Sequence, residues 1–255
     1  MSRLTDDLRG YLALGKPAVK LWQDDLLSRV HTAPNEALLF EIVRAEAHEL
    51  GFDHCAYGLR LALSVTKPKT VMFNDYPSCW QQRYVEGNYI AIDPTVCHGG
   101  KSVVPLVWDE QVFCGVRDFW EEARAYGLNY GWAQSSMNMD GIRGMLTLAR
   151  CAEPLSETEL KKNGYRMAWL TQVVHQCMGN LISTKMLPEA TIKLSLREIV
   201  VLRWTAEGKT AGEISDIINI TERTVNFHIA KAMEKLNCVN KTAATVRAAL
   251  LGILG

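Results

Sequence analysis

Apolar residues Leu38, Leu39, Ile42, Val43 and Leu50 recur at helical spacing across residues 36–50, EALLFEIVRAEAHEL, and Gly51 supplies a stop. Residues 54–63, HCAYGLRLAL, and 70–73, TVMF, read as strands. Pro77-Ser78 opens a short helix ending near Gly87, and 117–126 reads as another, closed by Gly127. Strands follow at about 130–138 and 143–150, joined by Asp140-Gly141, a hairpin signal because both residues tolerate positive φ. This mixture predicts an α+β unit, an antiparallel sheet covered by helices. Ser156-x-x-Glu159 is a capping box opening a long helix, apolar at Leu160, Met167, Leu170, Val173, Val174, Cys177 and Leu181. One face of it suits the sheet and another a second subunit. Periodicity lapses around Pro188, so 185–193, KMLPEATIK, is the expected linker between a domain at 1–184 and a second at 194–255.

The second domain is all helical by pattern. Ser195-x-x-Glu198 and Thr210-x-x-Glu213 are two further capping boxes. The first opens a helix with Ile199, Val200, Leu202 and Trp204 as core contacts, ended by Gly208. The second opens a helix striped by Ile214, Ile217 and Ile218. After the short turn Asn219-Ile220-Thr221 a third helix carries Val225, Ile229, Met233 and Leu236 inward, and a last one follows Asn240. Two short helices across a tight turn, the second with polar and basic groups outward, is the helix-turn-helix pattern. Asn226, Phe227, Ala230 and Lys231 fall on the outer face, free to enter a major groove. Lys209, Thr210, Thr221, Arg223, Thr224, Lys235 and Lys241 flank it, where helix N-termini and cations hold phosphates.

Charge supports this division. The 255-residue chain has no net charge, yet from Thr191 to Gly255 nine Lys/Arg stand against six Asp/Glu, leaving +3 there and −3 elsewhere. A basic module beside an acidic one points to nucleic acid as partner. No stretch approaches the ~18 apolar residues of a membrane span. The N-terminus lacks a signal-peptide core, and the seven cysteines form no disulfide framework. A cytoplasmic protein without membrane partner, metal or cofactor is expected. His54-Cys55, Cys97-His98 and His175-x-Cys177 lack zinc-site spacing.

In the first domain aromatics gather around one carboxylate: Tyr76, Trp80, Tyr84, Asn88-Tyr89, Asp93-Pro94-Thr95, then Trp108. Trp80 and Tyr84 stand four apart, on one helix face. A cavity so lined offers a carboxylate acceptor, an indole N–H, a phenol and much apolar wall, which suits a small amphipathic ligand with an amide and an apolar tail. A buried Asp93 needs hydrogen bonds to be tolerated.

The tail resembles the LuxR-type helix-turn-helix at Glu198, Leu202, the run from Trp204 to Thr210, Glu213-Ile214, Thr224 to His228, Lys235-Leu236 and Asn240-Lys241. Ala230 stands where some relatives carry a longer base-reading side chain. From about Leu39 to Leu181 the chain resembles the N-acyl-homoserine-lactone-binding domain of LuxR-type quorum-sensing receptors, on Tyr76, Trp80, Tyr84, Asp93, Pro94, Trp108 and Gly127. The resemblance implies an α-β-α sandwich and a transcription regulator that binds promoter DNA at inverted repeats as a homodimer, with RNA polymerase as a further partner. It implies that Trp80 donates to the lactone carbonyl and Asp93 accepts the amide N–H. Tyr76 and Thr147 would contact the acyl oxygen; Tyr84, Val96, Trp108, Phe113 and Trp120 would wall the acyl chain; Gly58 would line the pocket from the sheet.

Two other classes compete. Ser64-x-x-Lys67 matches a short nucleophile motif of lactam-hydrolysing enzymes, without any companion motif. A regulator that is ligand-independent, or senses a non-lactone signal, is the second alternative.

Overall fold

The computed structural model describes residues 20–61, 69–138, 142–186 and 193–254. The Asp140-Gly141 turn, the Ser64 and Lys67 pair and most of the 185–193 linker lie outside the described residues. A helix over 20–32, α1, precedes α2 (Glu36–Glu49), β1 (His54–Leu61), β2 (Lys69–Asn74) and α3 (Ser78–Glu86). A 3-10 turn at Tyr89–Ala91 leads to α4 (Pro94–Gly99), β3 (Leu106–Val107), α5 (Arg117–Ala125), β4 (Tyr130–Met137) and β5 (Arg143–Arg150). The long α6 (Glu157–Met186) follows, then α7 (Leu196–Ala206), α8 (Ala211–Ile218), α9 (Glu222–Lys235) and α10 (Lys241–Leu250).

The five strands form one antiparallel sheet in the order β2-β1-β5-β4-β3. Alternation along each strand gives it two faces. Cys55, Tyr57, Leu59 and Leu61 of β1, with Leu146 and Leu148 of β5, pack on Leu39 and Val43 of α2, on Leu26 and Val30 of α1, and on Met167, Leu170 and Val174 of α6. Ala56, Gly58 and Arg60, with Met145 and Thr147, take the other face, beneath α3, α4 and α5. The result is an α-β-α sandwich followed by an all-helical unit.

α6 is pinned to the sheet by polar contacts. His175 Nδ1 lies 2.9 Å from the Tyr57 hydroxyl and its Nε2 lies 3.1 Å from the Ile142 carbonyl. Gly144 makes room for this pair, since a Cβ there would stand 2.4 Å from the His175 ring. The capping box expected at the start of α6 is only half made. Ser156 Oγ accepts from the Glu159 N–H at 3.2 Å, but the Glu159 carboxylate turns to Arg150 at the end of β5, with two contacts of 2.8 Å. Leu38 and Ile217, read as core-facing, are 50% and 44% exposed. α1, α4 and β3 are additions to the expected elements.

In the helical unit both expected capping boxes are complete, at Ser195/Glu198 and Thr210/Glu213. Asn219 ends α8 in the left-handed region (φ 52), and Thr221 then caps α9. The core divides into a cluster around Val201, Ile214, Val225 and Ile229 and another around Leu202, Ala232, Leu236, Ala244 and Ala248.

Candidate functional site

Between the sheet and α3–α5 lies a cavity of about 1160 Å³. That is somewhat above the ~300–1,000 Å³ usual for small-molecule pockets. Tyr76, Trp80, Asp93, Thr147, Tyr84, Trp108, Phe113, Val96, Gly58 and Trp120, all singled out from the sequence, line it together.

Asp93 is the N-cap of α4, with Pro94 in the first helical position. Its Oδ1 accepts from the Thr95 N–H (2.8 Å) and hydroxyl (2.7 Å), and its Oδ2 accepts from the Tyr84 hydroxyl at 2.9 Å. No ion pair to Asp93 occurs among the described residues, and the residue is 8% exposed. Burial therefore pushes the carboxyl above its ordinary range, against the opposing hydrogen bonds from Thr95 and Tyr84. Among the described residues Tyr84 makes the one hydrogen bond to Oδ2, an oxygen with a second lone pair. The buried carboxylate has the hydrogen bonds it needs from within the chain, and Tyr84, expected only as a wall, is also a hydroxyl donor to Asp93.

Trp80 is 2% exposed, with ring centroids 5.6–5.9 Å from Tyr84, Tyr89, Phe119 and Tyr126. The Gln81 side chain donates to the Tyr76 carbonyl (2.7 Å), fixing the chain before α3. Burial raises the Tyr76 phenol well above its ordinary value, so it stays a protonated donor. Trp120 stacks on Phe113 at 4.0 Å and 6°, and Trp108 meets both edge-on. Trp108 lies over Gly131, where a Cβ would stand 2.5 Å from the indole. The indole nitrogens of Trp108 and Trp120 and the side-chain oxygen of Asn74 are buried without a hydrogen-bond partner among the described residues. Arg83, Glu122 and Tyr89 latch α3 to α5, with contacts of 2.7–2.8 Å. The Arg83 and Tyr89 hydrogen bonds hold the Glu122 carboxyl down at about 2.

The strand register orders this face of the sheet into rows. Asn74, Ala56, Thr147 and Ala133 stand abreast, then Met72, Gly58, Met145 and Ser135, then Thr70, Arg60, Arg143 and Met137. Sequence reasoning missed Asn74, Met72, Met145, Arg60 and Arg143, although their period-2 relation to Gly58 and Thr147 across neighbouring strands marks them. It also missed Thr95, which the Asp-Pro-Thr capping signal foretells.

On the helical unit Asn226, Phe227, Ala230 and Lys231 are exposed along one side of α9, Phe227 at 57%. Arg223, Thr221, Thr210 and Lys241 are exposed around them, and Lys209 and Thr224 are half-buried. The Thr210 and Thr221 hydroxyls are engaged as caps, accepting from the Glu213 and Thr224 N–H groups. Lys231 makes a surface pair with Glu234 (2.7 Å). Lys235 has a structural partner that the sequence did not show: its ammonium is held by the buried Glu198 at 2.8 Å, tying α9 to α7.

Two family models match this chain: "Autoinducer binding domain" over residues 35–178 and "Bacterial regulatory proteins, luxR family" over residues 193–248. The chain belongs to the LuxR family of bacterial transcription regulators. It is 52% identical to the transcriptional activator AnoR of Acinetobacter nosocomialis, over 91% of this chain and 99% of that protein. To the quorum-sensing regulator RhlR of Pseudomonas aeruginosa it is 35% identical, over 92% and 97% of the two chains. The crystal structure of Escherichia coli SdiA superposes with a TM-score of 0.81 at 30% identity, covering 93% of this chain and 99% of that one. The cavity thus lies in an autoinducer-binding module and α9 in a DNA-binding one. This LuxR-family chain is a quorum-sensing transcription regulator and not an enzyme. No described helix is long and apolar enough to cross a membrane.

Proposed function

We propose that the signal is an N-acyl homoserine lactone, held head-first against Trp80, Asp93, Tyr76 and Thr147. The observation that carries this reading is the second lone pair of the buried Asp93 Oδ2, beside a large and otherwise mostly apolar chamber. An amide N–H there relieves a carboxylate that burial has destabilised. Trp80 donates to the lactone carbonyl, Tyr76 and Thr147 to the acyl oxygen. Val96 and the Gly58 row contain the acyl chain, and Trp108, Phe113 and Trp120 close the cavity at the Trp80 end.

Ligand burial stabilises the sensor module by mass action. Two protomers then pair through α6, whose Tyr165 is 47% exposed. Each presents an α9 to successive major grooves, ~34 Å apart, of an inverted repeat. Asn226, Phe227, Ala230 and Lys231 read bases, while Arg223, Thr221, Thr224, Lys209, Thr210 and Lys241 hold the backbone. The name of its 52% identical relative, a transcriptional activator, supports RNA polymerase as a further partner in the cytoplasm.

A second reading has support. SdiA has been solved in complex with octanoyl-rac-glycerol, and that chain superposes with a TM-score of 0.79 at 30% identity. Glycerol hydroxyls also donate to a carboxylate. Calorimetric titration of the full chain with octanoyl homoserine lactone, its ring-opened acid and octanoylglycerol separates the readings. The lactone is expected to bind tightest. Equal or tighter binding of octanoylglycerol overturns the lactone assignment.

A further inference from the structure

Among the described residues the cavity has a buried end and an exposed end. At the buried end Trp80, Thr147 and Asp93 are 2%, 6% and 8% exposed. At the other, Thr70, Arg60 and Arg143 make up the outermost row and are exposed. Two row steps separate Thr147 from Arg143, ~13 Å of sheet at the usual strand rise. A short acyl chain held by its head group ends on the middle row. A long one reaches the arginines.

The lining is completed from the other module. Ala249, Leu250 and Gly252, at the end of α10, border the same cavity as Asp93 and Gly58. Leu251 packs against both the sensor core and the core of its own module. Gly252 has φ +68, a turn that sends Ile253 back onto the DNA-binding core and leaves Leu250 outside it. Leu250 is half-buried yet belongs to neither apolar cluster of its own module. This segment comes from outside the sensor module and lines the same cavity as Arg60, Thr70 and Arg143 of the outermost row.

The geometry points to Ala249–Gly252 as the end wall of the acyl chamber, so that the DNA-binding module itself sets which acyl length fits. This rests on the acyl-lactone reading of the cavity. A long chain buries Leu250 and is favoured by that packing. A short chain leaves it untouched.

The test is lactone affinity of the full chain as a function of acyl length, from butanoyl to dodecanoyl, in wild type, Leu250→Ala and Leu250→Asp. Because Leu250 lies outside its module's core, both variants are expected to unfold with wild-type cooperativity. Dodecanoyl affinity should fall about tenfold in Leu250→Asp, the order expected when one leucine side chain no longer packs on the ligand. It should fall several-fold in Leu250→Ala, and butanoyl affinity should hold in both. A length profile unmoved in both variants overturns the inference alone, as does a loss equal at all lengths. Wild type binding no lactone of any length overturns the lactone reading and this inference with it.

Discussion

Asp93→Asn separates the two jobs of this residue, capping α4 and accepting from the ligand. Asparagine caps helices as well as aspartate. With its amide oxygen placed at Oδ1 it keeps both Thr95 donors, whose present lengths are 2.8 and 2.7 Å. Its NH₂ then faces Tyr84, whose hydroxyl rotates from donor to acceptor at the same spacing. The buried charge is gone, so the unliganded variant should be at least as stable as wild type, because the carboxyl it replaces was disfavoured by burial. Binding behaves oppositely. The ligand amide meets a donor in place of an acceptor and forfeits a charge-assisted hydrogen bond, about 1.5–3 kcal/mol, which is roughly tenfold to a hundredfold in Kd. The assays are calorimetric titration with lactone and thermal unfolding without it. Lactone affinity within threefold of wild type would refute the reasoning. So would a large loss of unliganded stability, which would make Asp93 a structural residue first.

Gly58→Leu should leave folding intact, since a Cβ at that position meets nothing within 4 Å, while its side chain obstructs the middle row; titrations should show dodecanoyl lactone losing far more affinity than butanoyl. Lys235→Ala leaves the buried Glu198 without its cation and should lower thermal stability by about 1 kcal/mol, kept small because Lys235 is 37% exposed. Burial raises the Glu198 carboxyl, but the Lys235 and Ser195 hydrogen bonds outweigh it and hold the group below the ordinary glutamate range. That contribution is therefore present above the ordinary glutamate pKa and lost as pH falls through the depressed one. In Lys235→Ala the acid-side loss of stability should shrink, as unfolding curves between neutrality and the acid range would register. DNA affinity of the liganded protein should fall steeply with salt. Arg223→Ala should reduce the slope of log K against log salt by about 1 for each phosphate that is no longer neutralised, whereas Asn226→Ala should leave that slope unchanged.

Legibility followed the range of the interactions. The helices of the DNA-binding unit were readable because each start is written locally, in Ser195/Glu198, Thr210/Glu213 and the Asn219 turn. Tyr76, Trp80, Tyr84, Asp93 and Trp108 were readable as aromatics gathered around one carboxylate, whereas Gly58, Val96, Phe113, Trp120 and Thr147 came only from the resemblance to the lactone-binding domain; all ten line one cavity. α4 escaped for a physical reason: it is six residues long, and its signal, Asp93-Pro94-Thr95, reads as ligand chemistry although it is also a cap. β3 is two residues long, positioned by Trp108 settling over Gly131, a tertiary contact with no periodicity. Glu159 shows the same competition, since its capping partner was local and its actual partner, Arg150, belongs to the end of a strand. The meeting of Leu250 with the sensor cavity joins the two modules across the linker, and no window of sequence contains it.

Two modules that share a wall are linked in free energy. If dodecanoyl lactone changes the affinity of a dimer for its DNA site by some factor, that DNA must change the lactone affinity by the same factor. Should the coupling run only through stabilisation of the sensor module, any lactone that saturates the site gives the same factor whatever its length. Packing against Leu250 makes the factor length-dependent instead, because only a chain that reaches the end wall touches the module that binds DNA. Lactone titrations with and without saturating DNA should therefore show a larger shift for dodecanoyl than for butanoyl, and Leu250→Ala should bring the two together. Equal shifts in wild type would mean that α6 and the dimer carry all of the coupling and the tail carries none.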